Sequence, residues 1–352
     1  MSSAGFARAT APPARLPPAR LRLRRSSEVR PPLSRAAVAP STAPSTLGLE
    51  SVKNTRDLAD AFDGVAPGRV FRTATPGGAS AADAVAILDD LGVTALLDLR
   101  SEDEFEPDLG PVQSSFELLR FDRDDAQLRR AWASRAETAF AERRRVRFHA
   151  PLLDYDRYYA HIYENMSAWE KAQAVVYTAQ AKLVDDANQR RLFVGKVNAG
   201  GLPLLNEVML ASSGEEIRAA LEVVACAGPG AGGIAGAAGD RGGGALAFYC
   251  KAGKDRTGVV AALALKCCGA SDAEVVADYR RSDAAGTAAA LGGGRIERGL
   301  SIDYSRFRGA PREVMEGVLE RIRREHGSVE KYLDRIGFDA VARARLARAL
   351  CD

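Results

Sequence analysis

The chain has 352 residues, of which 46% are hydrophobic and 27% charged, and its formal net charge is +3. This is the composition of a globular protein with a sizeable core, so a wholly disordered or fibrous chain is excluded, and no apolar run approaches the roughly 20 residues that span a bilayer. Three histidines and an odd number of cysteines, five, form neither a structural zinc pattern nor a disulfide framework. We therefore expect free thiols, a reducing compartment and no bound metal.

The first 46 residues differ in composition from the rest of the chain. They hold eight arginines, no lysine, one acid and eight of the sixteen prolines, whereas residues 47–352 hold 41 basic and 45 acidic residues, a net charge of −4. Such a tail cannot bury enough apolar area to offset its chain entropy. Abundant Arg and Ser with almost no acid is typical of an organelle transit peptide, and its proline pairs interrupt the helix of a mitochondrial one. We expect a disordered or cleaved tail over residues 1–46 and a plastid location, with mitochondrion and cytoplasm as alternatives. The acidic remainder lacks the basic stripe of nucleic-acid-binding proteins.

From about residue 50 the sequence alternates predicted helices and short strands. Ser80 and Asp83 form a capping box before a helical stripe, Gly92 ends that helix, and residues 93–99 are typical of a buried strand. Further strands are predicted over residues 146–153 and 245–249. Further helices are predicted over residues 169–183, 204–211 and 215–225, the last with a capping box of Ser213 and Glu216.

Residues 228–244 contain nine glycines in seventeen positions, which predicts a flexible insert without regular structure. Buried strands that alternate with helices predict an α/β domain over residues 50–352, with a mostly parallel central sheet flanked by helices.

The stretch after the strand at 245–249 carries the clearest chemical signal. It reads C-K-A-G-K-D-R-T-G over residues 250–258, and an apolar helix is predicted from 259 to 267. A strand, a tight loop and a helix N terminus form a cradle for an anion. Gly253 permits the close turn, and Arg256 presents a planar fork to two phosphate oxygens. The positive field favours the thiolate of Cys250, and Thr257 can donate its hydroxyl to the sulfur. The predicted phosphate-binding residues are Lys251, Ala252, Gly253, Lys254, Arg256, Thr257 and Gly258.

The spacing of Cys250 and Arg256, followed by T-G, resembles the signature of the cysteine-dependent protein tyrosine phosphatase superfamily. The loop is similar to the H-C-x-A-G-K-D-R-T-G loop of one branch of that superfamily, the bacterial and fungal type. Five other stretches resemble motifs of that branch in the same order: N-T-R-D-L at 54–58, G-R-V-F-R-T-A at 68–74, L-D-L-R-S-E at 97–102, D-Y-R-R-S at 278–282 and G-S-V-E-K-Y-L at 327–333. The resemblance implies a cysteine-phosphatase fold and hydrolysis of phosphate monoesters through a phosphocysteine, with no cofactor.

Two features of this stretch differ from the branch motif or resemble another phosphatase of the superfamily. Tyr249 stands where the branch has a histidine that helps to order the loop. Lys251 and Lys254 resemble the C-K-A-G-K-x-R loop of the phosphatase-and-tensin-homologue lipid phosphatase, whose lysines favour inositol head groups. The implied substrate is a phosphorylated protein, of the tyrosine or dual-specificity type, and a phosphoinositide or inositol phosphate is the alternative. A weakly active phosphate-binding module is the alternative from another class.

The proton donor for the leaving oxygen is open to several interpretations. No aspartate lies between Asp186 and Asp240, the region where many superfamily members carry their acid. Asp255 is the acid that the branch resemblance offers, and a bound phosphate beside it would raise its pKa. Its alternative role is to cap the helix that follows. Asp154 and Asp156 are weaker candidates.

Three accessory residues are predicted near the loop: Asp98, Arg100 and Arg56. Asp98 and Arg100 follow a predicted strand, so they either reach the crevice where α/β sheets bind ligands or pair with each other. The remaining cysteines are expected to pack as inert thiols, with a resolving thiol for oxidised Cys250 as the alternative. They are Cys226, Cys267, Cys268 and Cys351.

Overall fold

The computed structural model describes residues 47–102, 104–105, 110–153, 155–183, 186–228, 244–284 and 301–352. The predicted tail over 1–46 and nearly all of the predicted glycine-rich insert lie outside these ranges, so the domain boundaries stay a prediction. Within the described ranges, no helix is both long and apolar enough to cross a membrane.

A six-stranded sheet forms the centre of the described fold. Its strands are β1 (Arg56–Asp57), β2 (Val70–Ala74), β3 (Val93–Asp98), β4 (Glu117–Arg120), β5 (Val146–His149) and β6 (Ala245–Cys250). Their order is β1-β2-β6-β3-β5-β4, and every neighbouring pair is parallel except β1 with β2. Strand β6 therefore lies between β2 and β3, and Cys250 ends it at the carboxyl edge of the sheet.

Helices cover both faces of this sheet. In the described ranges they are α1 (Ala81–Val85), α2 (Ala126–Ala141), α3 (Tyr155–Glu164), α4 (Ala168–Leu183), α5 (Ala187–Ser212), α6 (Gly214–Val224), α7 (Asp255–Cys267), α8 (Asp272–Ala284), α9 (Arg312–His326), α10 (Val329–Arg335) and α11 (Ala340–Cys351). Leu246 and Phe248 point into the large core that α6 and α7 share. Ala247 and Tyr249 alternate to the other face, where Ile87 packs just after α1. The predicted α/β fold with a mostly parallel sheet is confirmed.

Several predicted boundaries differ from the structure. Strand β5 ends at His149, not at 153, because Pro151 has no N–H for the ladder and Leu153 has a φ of 76°. The helix predicted at 204–211 is the second half of α5, which is broken at Gly201, where φ is 50°. Helix α7 begins at Asp255, four residues before the predicted start, so the loop after Cys250 is short.

The two predicted capping boxes have different outcomes. Ser80 Oγ accepts from the N–H of Asp83 at 3.1 Å and caps α1 as predicted. The Asp83 carboxylate does not return to Ser80 and instead accepts from Ser51 N at 2.6 Å. The box of Ser213 and Glu216 is wrong: Ser213 makes no side-chain cap, and buried Glu216 pairs with Arg157 at 2.8 Å.

Candidate active site

The loop between β6 and α7 lies at the middle of the sheet's carboxyl edge. Its four residues, 251–254, connect Cys250 at the end of β6 to Asp255 at the start of α7. Cys250 is only 3% exposed. The structure therefore brings a cysteine to the N terminus of a 13-residue helix, where the helix dipole favours a negative charge.

The side chains of Asn54 and Arg72 donate to the carbonyl groups of residues 252–254. Asn54 Nδ2 donates to the carbonyls of Ala252 at 3.1 Å and Gly253 at 2.8 Å. Arg72 Nη2 donates to the carbonyls of Gly253 at 2.9 Å and Lys254 at 3.3 Å. The N–H and C=O of a trans peptide point in opposite directions. The N–H groups of residues 253–255 therefore face away from Asn54 and Arg72, which leaves them as candidate donors to an anion.

Gly253 is required at its position for two reasons. Its φ is +65°, a conformation that side chains rarely adopt, and a Cβ there would overlap the carbonyl of Thr73 and lie 2.6 Å from Ala74 N. The loop thus packs directly against the backbone of β2.

A buried ion-pair cluster holds the donors behind the loop. Asp278 of α8 accepts from Arg56 Nε at 2.7 Å and from Arg72 Nη1. Burial alone would raise the pKa of Asp278, but the charges of Arg72 and Arg56 outweigh it and hold that pKa below its usual value. Burial lowers the pKa of Arg56 to about 10. The predicted accessory residue Arg56 therefore supports the loop from behind, through Asp278 and Asn54.

Arg256 lies in the first turn of α7 and forms a two-bond ion pair with Glu104. Its Nη2 donates to Glu104 Oε1 at 3.0 Å and its Nη1 donates to Oε2. Ser101 N and Oγ hold the same carboxylate at 3.2 and 3.1 Å. Burial would raise the pKa of Glu104, but Arg256 lowers it to about 2, so Glu104 stays charged. A fixed bidentate partner orients the arginine fork.

Asp255 accepts a hydrogen bond from the hydroxyl of Tyr279 at 2.9 Å. The N-cap of α7 is Lys254, and the carboxylate of Asp255 is held by α8, so the capping interpretation has no support in this geometry. Burial raises the pKa of Asp255, although Lys254 and Tyr279 act in the opposite direction. A carboxyl with a raised pKa beside the nucleophile loop has the property of a general acid.

Asp98 and Arg100 pair with each other. Arg100 Nη2 lies 2.7 Å from Asp98 Oδ2 and its Nε lies 3.0 Å from Oδ1, and both residues are buried. Tyr249 donates its hydroxyl to Asp98 Oδ2 at 3.0 Å. Burial and the charge of Asp98 raise the pKa of Tyr249, so this hydroxyl stays protonated. The residue that replaces the expected histidine thus anchors the nucleophile strand to the Asp98–Arg100 pair.

Besides Arg256, two of the predicted phosphate-binding residues, Lys254 and Gly258, have other partners. Lys254 is 2% exposed, and its Nζ donates to the carbonyls of Phe307 at 2.6 Å and Gly309 at 2.7 Å. Its ammonium therefore holds a neighbouring segment, and only its backbone N–H belongs to the cradle. Gly258 N donates to Lys254 O at 2.6 Å within the start of α7, so it does not face the cradle either.

The hydroxyl of Thr257 is buried and has no hydrogen-bond partner in the described part of the chain, so the predicted bond to the Cys250 sulfur is not formed. Lys251, by contrast, is exposed on the loop, as its predicted role requires.

The structure gives no support to the weaker acid candidates or to a resolving thiol. Asp154 lies outside the described residues, and Asp156 is exposed in the first turn of α3. Cys267 and Cys268 lie at the far end of α7, about 20 Å from its start. Burial raises the pKa of Cys267 to about 12 and that of Cys226 to about 11, which is typical of inert thiols, and the distance excludes a resolving role for the pair.

Five residues of this site were not assigned a role from the sequence: Asn54, Arg72, Glu104, Asp278 and Tyr279. All of them except Glu104 lie inside stretches that resemble family motifs, so the motifs marked them as candidates without a role. Their roles depend on contacts across as many as 222 positions of the chain, as for Asp278 with Arg56. Within the described ranges, no three His, Cys, Asp or Glu side chains are grouped to hold a metal ion.

Comparison with known families gives one match. The sequence model of the tyrosine phosphatase family matches residues 47–352. Among curated proteins, none matches the chain. The matched range contains the loop, its supporting ion-pair cluster and the whole described sheet. The chain therefore belongs to the tyrosine phosphatase family.

Proposed function

We propose that the protein hydrolyses phosphate monoesters through a phosphocysteine intermediate. The thiolate of Cys250 attacks phosphorus, an S–P bond forms, and the bond to the leaving oxygen breaks as Asp255 gives that oxygen its proton. Asp255, now a carboxylate, accepts a proton from the water that attacks the phosphocysteine. The S–P bond then breaks, and inorganic phosphate and the thiolate are regenerated.

One observation carries this proposal: the side chains of Asn54 and Arg72 donate hydrogen bonds to the loop carbonyls and so fix the orientation of the loop peptides. This orientation turns the N–H groups of residues 253–255 away from Asn54 and Arg72, so that they can donate to a bound phosphate. Arg256, held by Glu104, adds a positive charge from the first turn of α7. Donors fixed before the reaction stabilise the charge of the transferring phosphoryl group without reorganisation.

Phosphorylated proteins are the proposed substrates, of the tyrosine or dual-specificity type, as in the bacterial and fungal branch that the loop resembles. The phosphoinositide alternative depended on two lysines at the loop mouth. It loses support because the Lys254 ammonium is buried against two carbonyls. The alternative of a weakly active phosphate-binding module rested on the missing histidine, and Tyr249 provides another anchor for the same strand.

A phosphate-release panel tests the proposed function. Wild-type protein is expected to release phosphate from p-nitrophenyl phosphate and from phosphotyrosine peptides faster than from inositol phosphates, with an unchanged rate in a chelator. Loss of the rate in EDTA with recovery on added zinc or magnesium would contradict the cysteine mechanism. Faster release from inositol phosphates than from peptides would contradict the substrate assignment.

The composition of residues 1–46 supports a further proposal, that this segment directs the protein to plastids. A fluorescent protein fused after residue 46 tests it in plant cells. Plastid fluorescence is expected, and fluorescence in mitochondria or throughout the cytoplasm would contradict it.

A further inference from the structure

A row of side chains leads from the strand of the nucleophile to a basic cluster. Tyr249 of β6 is the register partner of Asp98, Asp98 of His149, and His149 of Arg120. Neighbouring strands lie about 4.8 Å apart, so His149 is about 10 Å and Arg120 about 14 Å from Tyr249 across the sheet. Arg147, two residues before His149, faces the same side. The cluster of Arg120, Arg147 and His149 thus lies at the carboxyl ends of β4 and β5.

The ring of Phe105 holds the cluster together. The guanidinium carbons of Arg120 and Arg147 lie 4.4 and 4.7 Å from its centre, and the ring centre of His149 lies 4.3 Å from it. Cations at such distances are attracted by the face of the ring. Both arginines therefore lie against one aromatic ring at the sheet edge, and Arg100, which Asp98 pairs, lies 5.9 Å from the centre of the same ring.

Arg147 has unused donors at this point. It is 6% exposed, and its Nε and Nη1 have no hydrogen-bond partner among the described residues. A buried donor without an acceptor is costly, and native proteins usually supply an acceptor or bind one. An anion in front of Arg147 would satisfy both atoms.

Glu102 shows which chemical group fits the cluster. One of its carboxylate oxygens accepts from Arg120 Nη1 at 2.8 Å and the other lies 3.7 Å from His149 Nδ1. The side chain of Glu102 is 57% exposed, and so exposed an ion pair contributes little stability. An external anion can therefore displace Glu102 and accept from Arg120 in its place.

We propose that Arg120 and Arg147, which lie beside Phe105 and His149, form a second anion subsite, which binds an acidic or phosphorylated side chain of a phosphopeptide substrate. This inference rests on the proposed function. The ends of β5 and β4 lie about 10 and 14 Å across the sheet from the end of β6, the strand of the nucleophile. This span corresponds to three or four residues of an extended peptide at about 3.3 Å per residue. The phosphates of one inositol ring are held closer together than this span. The favoured substrate therefore carries an anionic side chain three or four residues from its phosphotyrosine.

A matched set of peptides and variants tests the subsite. The substrates are phosphotyrosine peptides whose other residues are uncharged. Each carries either Glu or, as a control, Gln at the third or fourth position on one side of the phosphotyrosine. One of the Glu peptides is expected to have a kcat/KM about tenfold above its Gln partner, the scale of one charged hydrogen bond. Arg120→Gln is expected to remove this preference and to leave the turnover of p-nitrophenyl phosphate unchanged.

Arg144 provides the matched control variant. It pairs with Glu117 at the opposite ends of the same two strands, and its side chain is 47% exposed, against 48% for Arg120. Arg144→Gln removes the same charge and is expected to keep the preference. Glu102→Gln removes the carboxylate that competes for Arg120 and is expected to increase the preference for the Glu peptide over its Gln partner.

The outcomes separate the subsite from the proposed function. Equal kcat/KM for all Glu and Gln peptides, with p-nitrophenyl phosphate still hydrolysed, overturns the subsite. A loss on inositol polyphosphates alone in Arg120→Gln overturns its assignment to peptides. If wild-type protein hydrolyses nothing, the proposed function fails, but calorimetric binding of the same peptides to the Cys250→Ser protein still decides the subsite: tighter Glu peptides support it, and equal affinities overturn it.

Discussion

The hydroxyl of Tyr279 lies 2.9 Å from Oδ1 of Asp255, so a residue of α8 holds the carboxyl that we propose as the general acid. This bond favours the carboxylate and opposes the burial that raises the pKa of Asp255. The pH dependence of turnover therefore reports on both residues.

Tyr279→Phe is expected to move the basic limb of the kcat profile to higher pH. The substitution removes a donor to the carboxylate, so the pKa of Asp255 rises further and the acid stays protonated over a wider range. Steady-state rates on p-nitrophenyl phosphate across pH measure this limb. Asp255→Asn, which cannot donate a proton in the same way, is expected to lose the limb and most of the turnover of substrates with poor leaving groups. A basic limb that stays in place in both variants would assign the acid to another residue.

Glu104→Gln is expected to lower kcat/KM about 10- to 100-fold, which corresponds to about 1.5–3 kcal/mol for a charged hydrogen bond. The amide keeps the shape of the side chain but cannot pair with both arms of Arg256. Glu102→Gln is the control, because that carboxylate lies two residues away and pairs with Arg120. With p-nitrophenyl phosphate as substrate, the control is expected to match wild type. Equal activity of Glu104→Gln and wild type would show that the arginine is oriented by other contacts.

Asp278→Asn is expected to lower the free energy of unfolding by about 3–5 kcal/mol at neutral pH, because two buried arginines lose their partner. Since the folded-state pKa of Asp278 is below its unfolded value of about 3.9, its contribution is present above that pH and is lost as the pH falls through the folded pKa. Urea unfolding at a series of pH values measures both effects. Asp334→Asn, which breaks the more exposed pair with Arg343, is expected to cost less than about 1 kcal/mol. A similar small loss for both variants would contradict the supporting role of the cluster.

Gly253→Ala is expected to abolish turnover, because the added Cβ overlaps the backbone of β2 and displaces the loop. Gly269→Ala separates this overlap from backbone strain, since Gly269 also has a positive φ, +92°, but nothing lies within 4 Å of its Cβ position. We expect the control to lose only about 1–2 kcal/mol of stability and to remain active. Full activity of Gly253→Ala would mean that the loop tolerates a different path.

The sequence predicted the fold class and the loop because both depend on local patterns. The strand before Cys250, the tight turn at Gly253 and the apolar helix after it are each encoded within a few residues. Boundaries were less well predicted: β5 ends at His149, before Pro151, and α7 starts at Asp255 without a side-chain cap that would have marked its N terminus.

The supporting contacts could not be predicted in the same way. Lys254 looked like a phosphate ligand because its charge and position fit, but the carbonyls of Phe307 and Gly309, more than fifty residues later, bind its ammonium. Glu104 is separated from Arg256 by 152 positions, and no local pattern indicates that they pair. Such pairings depend on how distant elements pack, which a single sequence does not encode locally.

Covalent labelling of Cys250 tests the central claim most directly. Wild-type protein is mixed with a phosphotyrosine substrate that carries radioactive phosphate, quenched within the first turnover, and digested for peptide mapping. We predict that the label is on the peptide that contains Cys250, and that Cys250→Ser shows neither label nor turnover while it still binds a phosphate analogue. Turnover close to the wild-type rate in Cys250→Ser, or label on another residue, would contradict the phosphocysteine mechanism.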